Sequence, residues 1–437
     1  MRYIIDITQL VHWPGNLTGI PRVMDELALR FLNDKKIDAI FVSWVKETGE
    51  MCEVDFASTR IHRGEGIDYI TSNQMPVTHD TNTQTLPAHS SGRNEAIKKM
   101  KQLAKKVAEK ARLDRTSLYK KVVVQAHTLQ AQLYKPYRPK MDDIFFIPWG
   151  EWWDQNWLNR ITDYANAGVG IYPVCHDILP MIVPQFSGNS SSLSDFVTQI
   201  FPLSKKVLTV SQSTKSDLSR WMLEKDLRIP PIEVFRLGEV FTTPPLEVDD
   251  KTIMRKYSVE KENFIIFVST IEPRKNHVLL YYVYKLAISR GVPLPKLLII
   301  GRLGHDTEVL VKQIKADPEV NEFISICNSV DDAELNWLYQ NCMFSVMPSL
   351  YEGWGMSVLE SISKGKPVAC SNSSSLKEMP KDCVLYFNPA STDECLAALQ
   401  KLMQEKVLSS LKKSAEAYKP HSWDASYKQV LSILKEN

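Results

Sequence analysis

The chain has 437 residues, 44% of them hydrophobic and 24% charged, with 53 Lys and Arg against 51 Asp and Glu. That length suggests two or three domains, and the ordinary globular composition excludes a disordered or fibrous chain. A net charge of +2 excludes a protein that coats nucleic acid, though not a local basic patch.

Read from the start, Met1 to Asp6 meets an acid too early for a signal-peptide core. Apolar runs such as Phe264–Val268 and Leu297–Ile300 are strand-sized, far short of the ~20 residues of a membrane span. The cysteines (Cys52, Cys175, Cys327, Cys342, Cys370, Cys383 and Cys395) are odd in number and contain no C-x-x-C. They point to neither a disulfide framework nor a zinc site, and favour a reducing compartment. The expectation is a soluble cytoplasmic protein.

Short apolar runs alternate with helical patterns, the signature of βα units and a parallel sheet. Tyr3–Ile7 and Ala39–Val45 read as strands around a helix from Pro21 to Asn33. Asp143–Pro148, Gly170–Cys175 and Lys206–Val210 continue the series. A second series follows the Pro- and acid-containing stretch Phe241–Asp250. It runs Phe264–Ser269, Lys296–Ile300, Phe323–Cys327, Phe344–Pro348 and Pro367–Ala369. The fold class is α/β: two Rossmann-like domains, over 1–242 and 250–420, facing each other. A last helix (421–437) presents Tyr427, Val430, Leu431 and Leu434 on one side.

One segment interrupts the first series. Residues 71–94 are rich in Thr, Ser, Asn, His and Pro and read as a loop. Residues 93–140 then carry a local excess of eleven positive charges, leaving the rest of the chain near −9. Within them Ile97, Met100, Ala104, Val107, Ala108 and Ala111 recur at helical spacing, with lysines on the other sides. The segment reads as a solvated basic helix on the first domain, or as a surface that meets anionic lipid headgroups.

Chemistry concentrates in two stretches. Pro348-Ser349-Leu350-Tyr351-Glu352-Gly353-Trp354-Gly355-Met356-Ser357-Val358-Leu359-Glu360 leads from a strand through a glycine-bracketed turn into a helix ending at Gly365. Gly353 and Gly355 suit close backbone approach to a ligand. The amides of Met356, Ser357 and Val358 at the helix N-terminus suit a phosphate. Glu272-Pro273-Arg274-Lys275-Asn276 places two cations just after a strand, where open α/β sheets bind ligands, with Asn276 read as capping the next helix. Arg and Lys together make a diphosphate clamp. No D-x-D triplet occurs, and Asp331 with Glu334 reads as a capping box rather than a metal site. Trp149, Trp152, Trp153 and Trp157 cluster after the strand Asp143–Pro148, equally suited to stacking on sugars and to plugging a core.

These stretches resemble the retaining glycosyltransferases of family 4, which have the GT-B fold. Glu352 and Glu360 match the family's E-x7-E pair. The likeness extends through Thr18-Gly19-Ile20-Pro21-Arg22, His176-Asp177, residues 210–218, Leu237-Gly238, the Glu272–Asn276 segment and residues 330–335. It covers nearly the whole chain except residues 71–140. Opening and Arg-Lys segments look most like bacterial O-antigen and capsule enzymes, many of them mannosyltransferases.

The resemblance implies a role for each matched position. Glu352 would hydrogen-bond the donor sugar above the Gly353-Trp354-Gly355 turn, and Glu360 would bind the ribose hydroxyls. Arg274 and Lys275, with the amides of Met356, Ser357 and Val358, would stabilise the departing diphosphate. Gly19 would approach donor or acceptor, and His176 would line the cleft. The last helix would cross back to the first domain. Expected is a metal-independent retaining hexosyltransferase without a cofactor, moving mannose from GDP-mannose to a lipid-linked saccharide. It would have no nucleic-acid partner and would sit in the cytoplasm, against the inner membrane face where the basic segment meets it. The alternatives are a nucleotide-sugar epimerase or phosphorylase of the same fold, and a catalytically silent scaffold.

Overall fold

The computed structural model describes residues 1–13, 17, 19–58, 135–186, 191–239 and 248–436. Thr18, the loop at 71–94 and the basic helix read over residues 97–115 lie outside the described residues. The chain divides into two compact units, Met1–Leu17 with Phe31–Ile171 and Thr18–Arg30 with Tyr172–Asn437.

In the first unit the strands are β1 (Arg2–Asp6), β2 (Asp38–Val45), β3 (Glu50–Glu53), β4 (Lys135–Pro136) and β5 (Ile144–Ile147), ordered β4-β3-β2-β1-β5. β1 pairs in parallel with both β2 and β5, so the three C-terminal ends share one edge. Strands β3 and β4 add antiparallel pairs that the periodicity does not announce. The signal present is the turn before β3, where Gly49 takes a φ of 65° and its N–H donates to the Val45 carbonyl. Helix Gln155–Asn166 starts where the Asp154 carboxylate accepts from the Asn156 N–H at 3.0 Å, and buries Trp157, Leu158, Ile161 and Tyr164.

The second unit holds two parallel arrays, the first of which begins with a strand whose opening residues, Gly170 and Ile171, belong to the first unit. β6 (Gly170–Cys175), β7 (Val207–Thr209) and β8 (Ile232–Val234) form one. The other contains β9 (Phe264–Val268), β10 (Lys296–Ile300), β11 (Ile324–Cys327), β12 (Ser345–Met347), β13 (Val368–Ser371) and β14 (Val384–Phe387), ordered β11-β10-β9-β12-β13-β14. Its strands read as unbroken apolar runs because both faces are covered. Ile265, Phe267, Leu297 and Ile299 pack with Leu280, Tyr284, Leu359 and Ile362. Phe264, Ile266, Leu298 and Ile300, pointing the other way, pack with Trp337 and Tyr339. The capping box forms as read: the Glu334 N–H donates to Asp331 and the Asp331 N–H to Glu334, starting helix Asp332–Asn341.

The last helix, Trp423–Lys435, is fixed within this second unit. Trp423 is buried with its ring over Gly238, and Asp424 accepts from Arg30 at 2.7 Å. Gln429 accepts from the Arg236 N–H at 2.9 Å. Among the described residues no helix is long and apolar enough to cross a membrane.

Candidate active site

The site grows from the C-terminal ends of β9 and β12, both in the second unit. After β9 the chain makes a tight turn, Pro273–Lys275, and leaves it through Asn276 in the left-handed region at φ 61°. Asn is among the few side chains that tolerate that conformation. Its side chain does not cap helix His277–Ser289, contrary to the sequence reading. The amide instead donates to the Pro348 carbonyl at 3.1 Å and the Pro389 carbonyl at 2.9 Å. The Leu350 N–H also donates to the Arg274 carbonyl at 2.8 Å. The cationic turn is thus tied to the segment that carries Glu352.

Arg274 donates through Nη1 to Glu352 Oε2 at 2.8 Å and to the Tyr351 carbonyl at 3.1 Å, and Nη2 lies 2.8 Å from Glu272 Oε1. Lys275 Nζ donates to Glu352 Oε1 at 2.5 Å. Burial alone would raise the Glu352 carboxyl, but Arg274 and Lys275 overcome it and hold the group at about 2. Burial lowers the Lys275 ammonium, with Glu352 opposing the shift. Burial works against the charge of Arg274 as well, yet Glu352, Glu272 and Asp177 raise it on balance. A guanidinium has five N–H donors and an ammonium three, so neither cation is exhausted by these partners. Beneath them the buried His277 sits against Phe267 with Nε2 3.2 Å from Ser269 Oγ. Burial and then Lys275 drop its imidazole to about 3, so it stays neutral.

The turn after Glu352 is packed tightly. A Cβ on Gly353 would lie 2.3 Å from the His176 carbonyl oxygen and 2.9 Å from Asp177 Cβ. A Cβ on Gly355 would meet Leu376 at 2.8 Å and Met379 at 3.2 Å. Both glycines are therefore required by neighbouring protein atoms. The helix Met356–Ser363 starts at Gly355 without a side-chain cap. The amides of Met356 and Ser357 keep no acceptor among the described residues. Val358, grouped with them on sequence, spends its N–H on the Gly355 carbonyl at 3.0 Å. The Trp354 ring packs at the edge of the core, and its indole N–H is buried without an acceptor among the described residues. Gly365 ends the helix with φ 74°.

Glu360 points from this helix to Arg22, whose Nη1 lies 2.9 Å from Oε1, while Tyr339 donates to Oε2 at 3.3 Å. Burial raises the Glu360 carboxyl and Arg22 opposes it. Arg22 belongs to the Gly19-Ile20-Pro21-Arg22 run but was not singled out from the sequence; the signal was a cation inside a matched motif. Gly19 itself has a φ of 62° and nothing within 4 Å of its Cβ position. The structure thus groups Arg274, Lys275, Glu352, Gly353 and the His176 backbone. Glu360 holds its own cation.

Residues 249–422, which span β9 through β14 and both acidic positions, match the family described as Glycosyl transferases group 1. That segment is similar to the glycosyltransferase group 1 domains. The O-antigen chain mannosyltransferase B of Escherichia coli is 28% identical over 296 residues, 64% of this chain and 77% of that one. The serotype-specific mannosyltransferase WbdA of Escherichia coli is 23% identical over 252 residues, 56% of this chain but only 31% of that longer protein. Among solved structures, Anabaena Alr3699/HepE in complex with UDP and glucose superimposes with a TM-score of 0.58 over 99% of each chain, at 14% identity. That likeness concerns the fold, which is GT-B. With that segment and this fold, the chain resembles the bacterial O-antigen mannosyltransferases.

Proposed function

We propose that the chain is a retaining glycosyltransferase that moves a hexose, mannose from GDP-mannose, to a lipid-linked saccharide of a bacterial surface polysaccharide. The observation that carries the reading is the grip of Arg274 and Lys275 on one buried carboxylate, Glu352, at 2.8 and 2.5 Å. Breaking the bond between the anomeric carbon and the phosphate oxygen leaves positive charge on the sugar and a departing diphosphate. Two oriented cations, together with the uncapped amides of Met356 and Ser357 that follow Glu352 along the chain, would aim fixed charge where that negative charge develops, an arrangement that commonly contributes several kcal/mol. Glu352 holds both cations in place and offers oxygens to the sugar hydroxyls. Glu360, presented by Arg22 and Tyr339, meets the ribose. Retention follows if the acceptor hydroxyl attacks on the face from which the diphosphate leaves, with no protein nucleophile required. Neither a metal nor another cofactor enters the scheme, because the cations and amides supply the electrostatic stabilisation. Mannose is favoured by the names of the relatives, and the saccharide acceptor by the same names.

The test is a thermal-shift panel of nucleotide sugars, followed by proton NMR of the product formed with an α-mannobiose acceptor. The reading expects the largest shift from GDP-mannose and a new α-anomeric signal. No shift from any nucleotide sugar would refute it and favour a silent scaffold. Conversion of the donor without acceptor would favour an epimerase.

A further inference from the structure

Past the C-terminal ends of β12 and β13 the backbone ladder stops, with Met347 opposite Cys370 as its last pair. The run Ser371-Asn372-Ser373-Ser374-Ser375 then meets the chain that leads from β12 to Glu352. Four serine hydroxyls take over from the ladder. Ser371 Oγ donates to the Ser349 carbonyl at 2.6 Å, and Ser373 Oγ donates to the Leu350 carbonyl. The Glu352 N–H donates to Ser374 Oγ at 2.7 Å, and Ser375 Oγ donates to the Glu352 carbonyl at 2.8 Å. Glu352 is thus held through both of its backbone polar groups. The carbonyl between them, that of Tyr351, is the one that accepts from Arg274. Ser371 and Ser375 are fully buried, whereas Asn372, which interrupts the run, is exposed.

Buried backbone groups need partners, and serine hydroxyls commonly supply them. Two features go beyond that need. Ser374 adopts a φ of 42°, in the left-handed region where glycine is less strained than any residue with a Cβ. A glycine there would relieve the backbone and lose only the hydroxyl, the group that meets the Glu352 N–H. Strain of this kind clusters at functional sites, where the surrounding structure holds it. The second feature is what the held residue does. The Glu352 carboxylate meets Arg274 at 2.8 Å and Lys275 at 2.5 Å, so a shift of its backbone would carry it off both cations at once. Further along the same segment, Leu376 and Met379 leave no room for a Cβ at Gly355.

We propose that Ser371, Ser373, Ser374 and Ser375 are positioning residues that fix the backbone of Glu352, and through its carboxylate the Arg274 guanidinium and the Lys275 ammonium, for the departure of the diphosphate. None of the four needs to touch the substrate. Fixed charge stabilises a developing charge only when it is oriented beforehand, and a misplacement of about 1 Å can cost on the order of 10²-fold in rate. The assignment rests on the glycosyltransferase reading for the reaction it serves, while the hold on Glu352 concerns this chain alone.

The experiment compares the full chain as wild type, Ser374→Gly, Ser375→Ala and, as a control, Ser204→Ala. Ser204 is also buried and its Oγ donates to the Ile200 carbonyl at 2.9 Å, so its variant loses a comparable bond in the segment before β7. Steady-state transfer from GDP-mannose to α-mannobiose, calorimetry with GDP and melting curves from pH 7 to pH 3 are recorded for each. Ser374→Gly and Ser375→Ala should lower kcat about tenfold while GDP affinity stays within about twofold of wild type. Both should also flatten the acid limb of stability below pH 4.5, because a displaced Glu352 loses the cations that hold its carboxyl at about 2. Ser204→Ala should melt earlier with kcat and acid limb as in wild type. A run of serines that serves packing alone would give Ser374→Gly and Ser375→Ala that same behaviour, and this result overturns the proposal. An equal loss of kcat in Ser204→Ala overturns it too. If wild type transfers sugar from no nucleotide sugar, the glycosyltransferase reading fails and the acid limb decides alone: flattened in both serine variants, the hold on Glu352 stands; unchanged in both, it falls.

Discussion

At the residue scale, the grip of Arg274 and Lys275 depends on the charge state of Glu352. Its folded value of about 2 lies below the 4.5 of an unperturbed glutamate, so its ionisation stabilises the fold above pH 4.5. That contribution is lost as the pH falls from about 4.5 through 2. Glu352→Gln should therefore lower the melting temperature at neutral pH and flatten the acid limb of stability in that window. A melting curve from pH 7 to pH 3 checks this; equal acid sensitivity in both proteins would mean that the carboxylate is not held by its cations. The two acids should also separate by ligand. Glu360→Ala should weaken binding of GDP and GDP-mannose alike, while Glu352→Ala should mainly weaken GDP-mannose, and calorimetry reads both. The reverse preference would exchange their assignments. Of these residues, Arg274, Lys275, Glu352 and Glu360 were legible because charged side chains beside glycines at a strand–helix turn carry a local pattern. Arg22 was not, because its meaning depends on a contact 338 residues away along the chain.

At the element scale, tight glycines decide how the parts fit. A Cβ on Gly238 would sit 2.3 Å from the Trp423 ring, at the point where the last helix packs on the chain after β8. Gly238→Ala should therefore cost about 1–3 kcal/mol of stability through overpacking, seen as an earlier chemical denaturation midpoint. Wild-type stability would show that the helix shifts freely, against the packing described. Most strands could be read directly: Gly170–Cys175 and Lys296–Ile300 begin and end as the apolar runs do. What periodicity missed were β3, β4, β8 and β14, each two to four residues long. Elements that short are set by the neighbours they pair with rather than by a repeat of their own. Asn276 was misread for a related reason. Next to a helix start, Asn most simply reads as a cap, and its bonds to Pro348 and Pro389 come from segments 72 and 113 residues distant.

At the scale of the whole molecule, charge is unevenly spread, with eleven excess positive charges over residues 93–140. An anionic surface should attract that segment, at about 1 kcal/mol per basic side chain near the membrane, fading within a Debye length of about 8 Å. Replacing Lys98, Lys99, Lys101, Lys105 and Lys106 with Gln should release the protein from phosphatidylserine vesicles in co-sedimentation at low salt. Sedimentation of the variant like wild type would make the segment a solvated one. The α/β class was legible from alternating runs alone, whereas sorting the four tryptophans of residues 149–157 required the structure, which buries Trp157 and leaves Trp153 exposed. In the proposed reaction Arg274 and Lys275 do the electrostatic work of sugar transfer. This role is tested most directly by the turnover of GDP-mannose with a saccharide acceptor in excess EDTA, for wild type, Arg274→Ala and Lys275→Ala. Wild type should remain active, and each variant should stay folded while losing at least ~10²-fold in turnover. Wild-type turnover in either variant, or activity lost in EDTA and restored by Mn²⁺ or Mg²⁺, would contradict it.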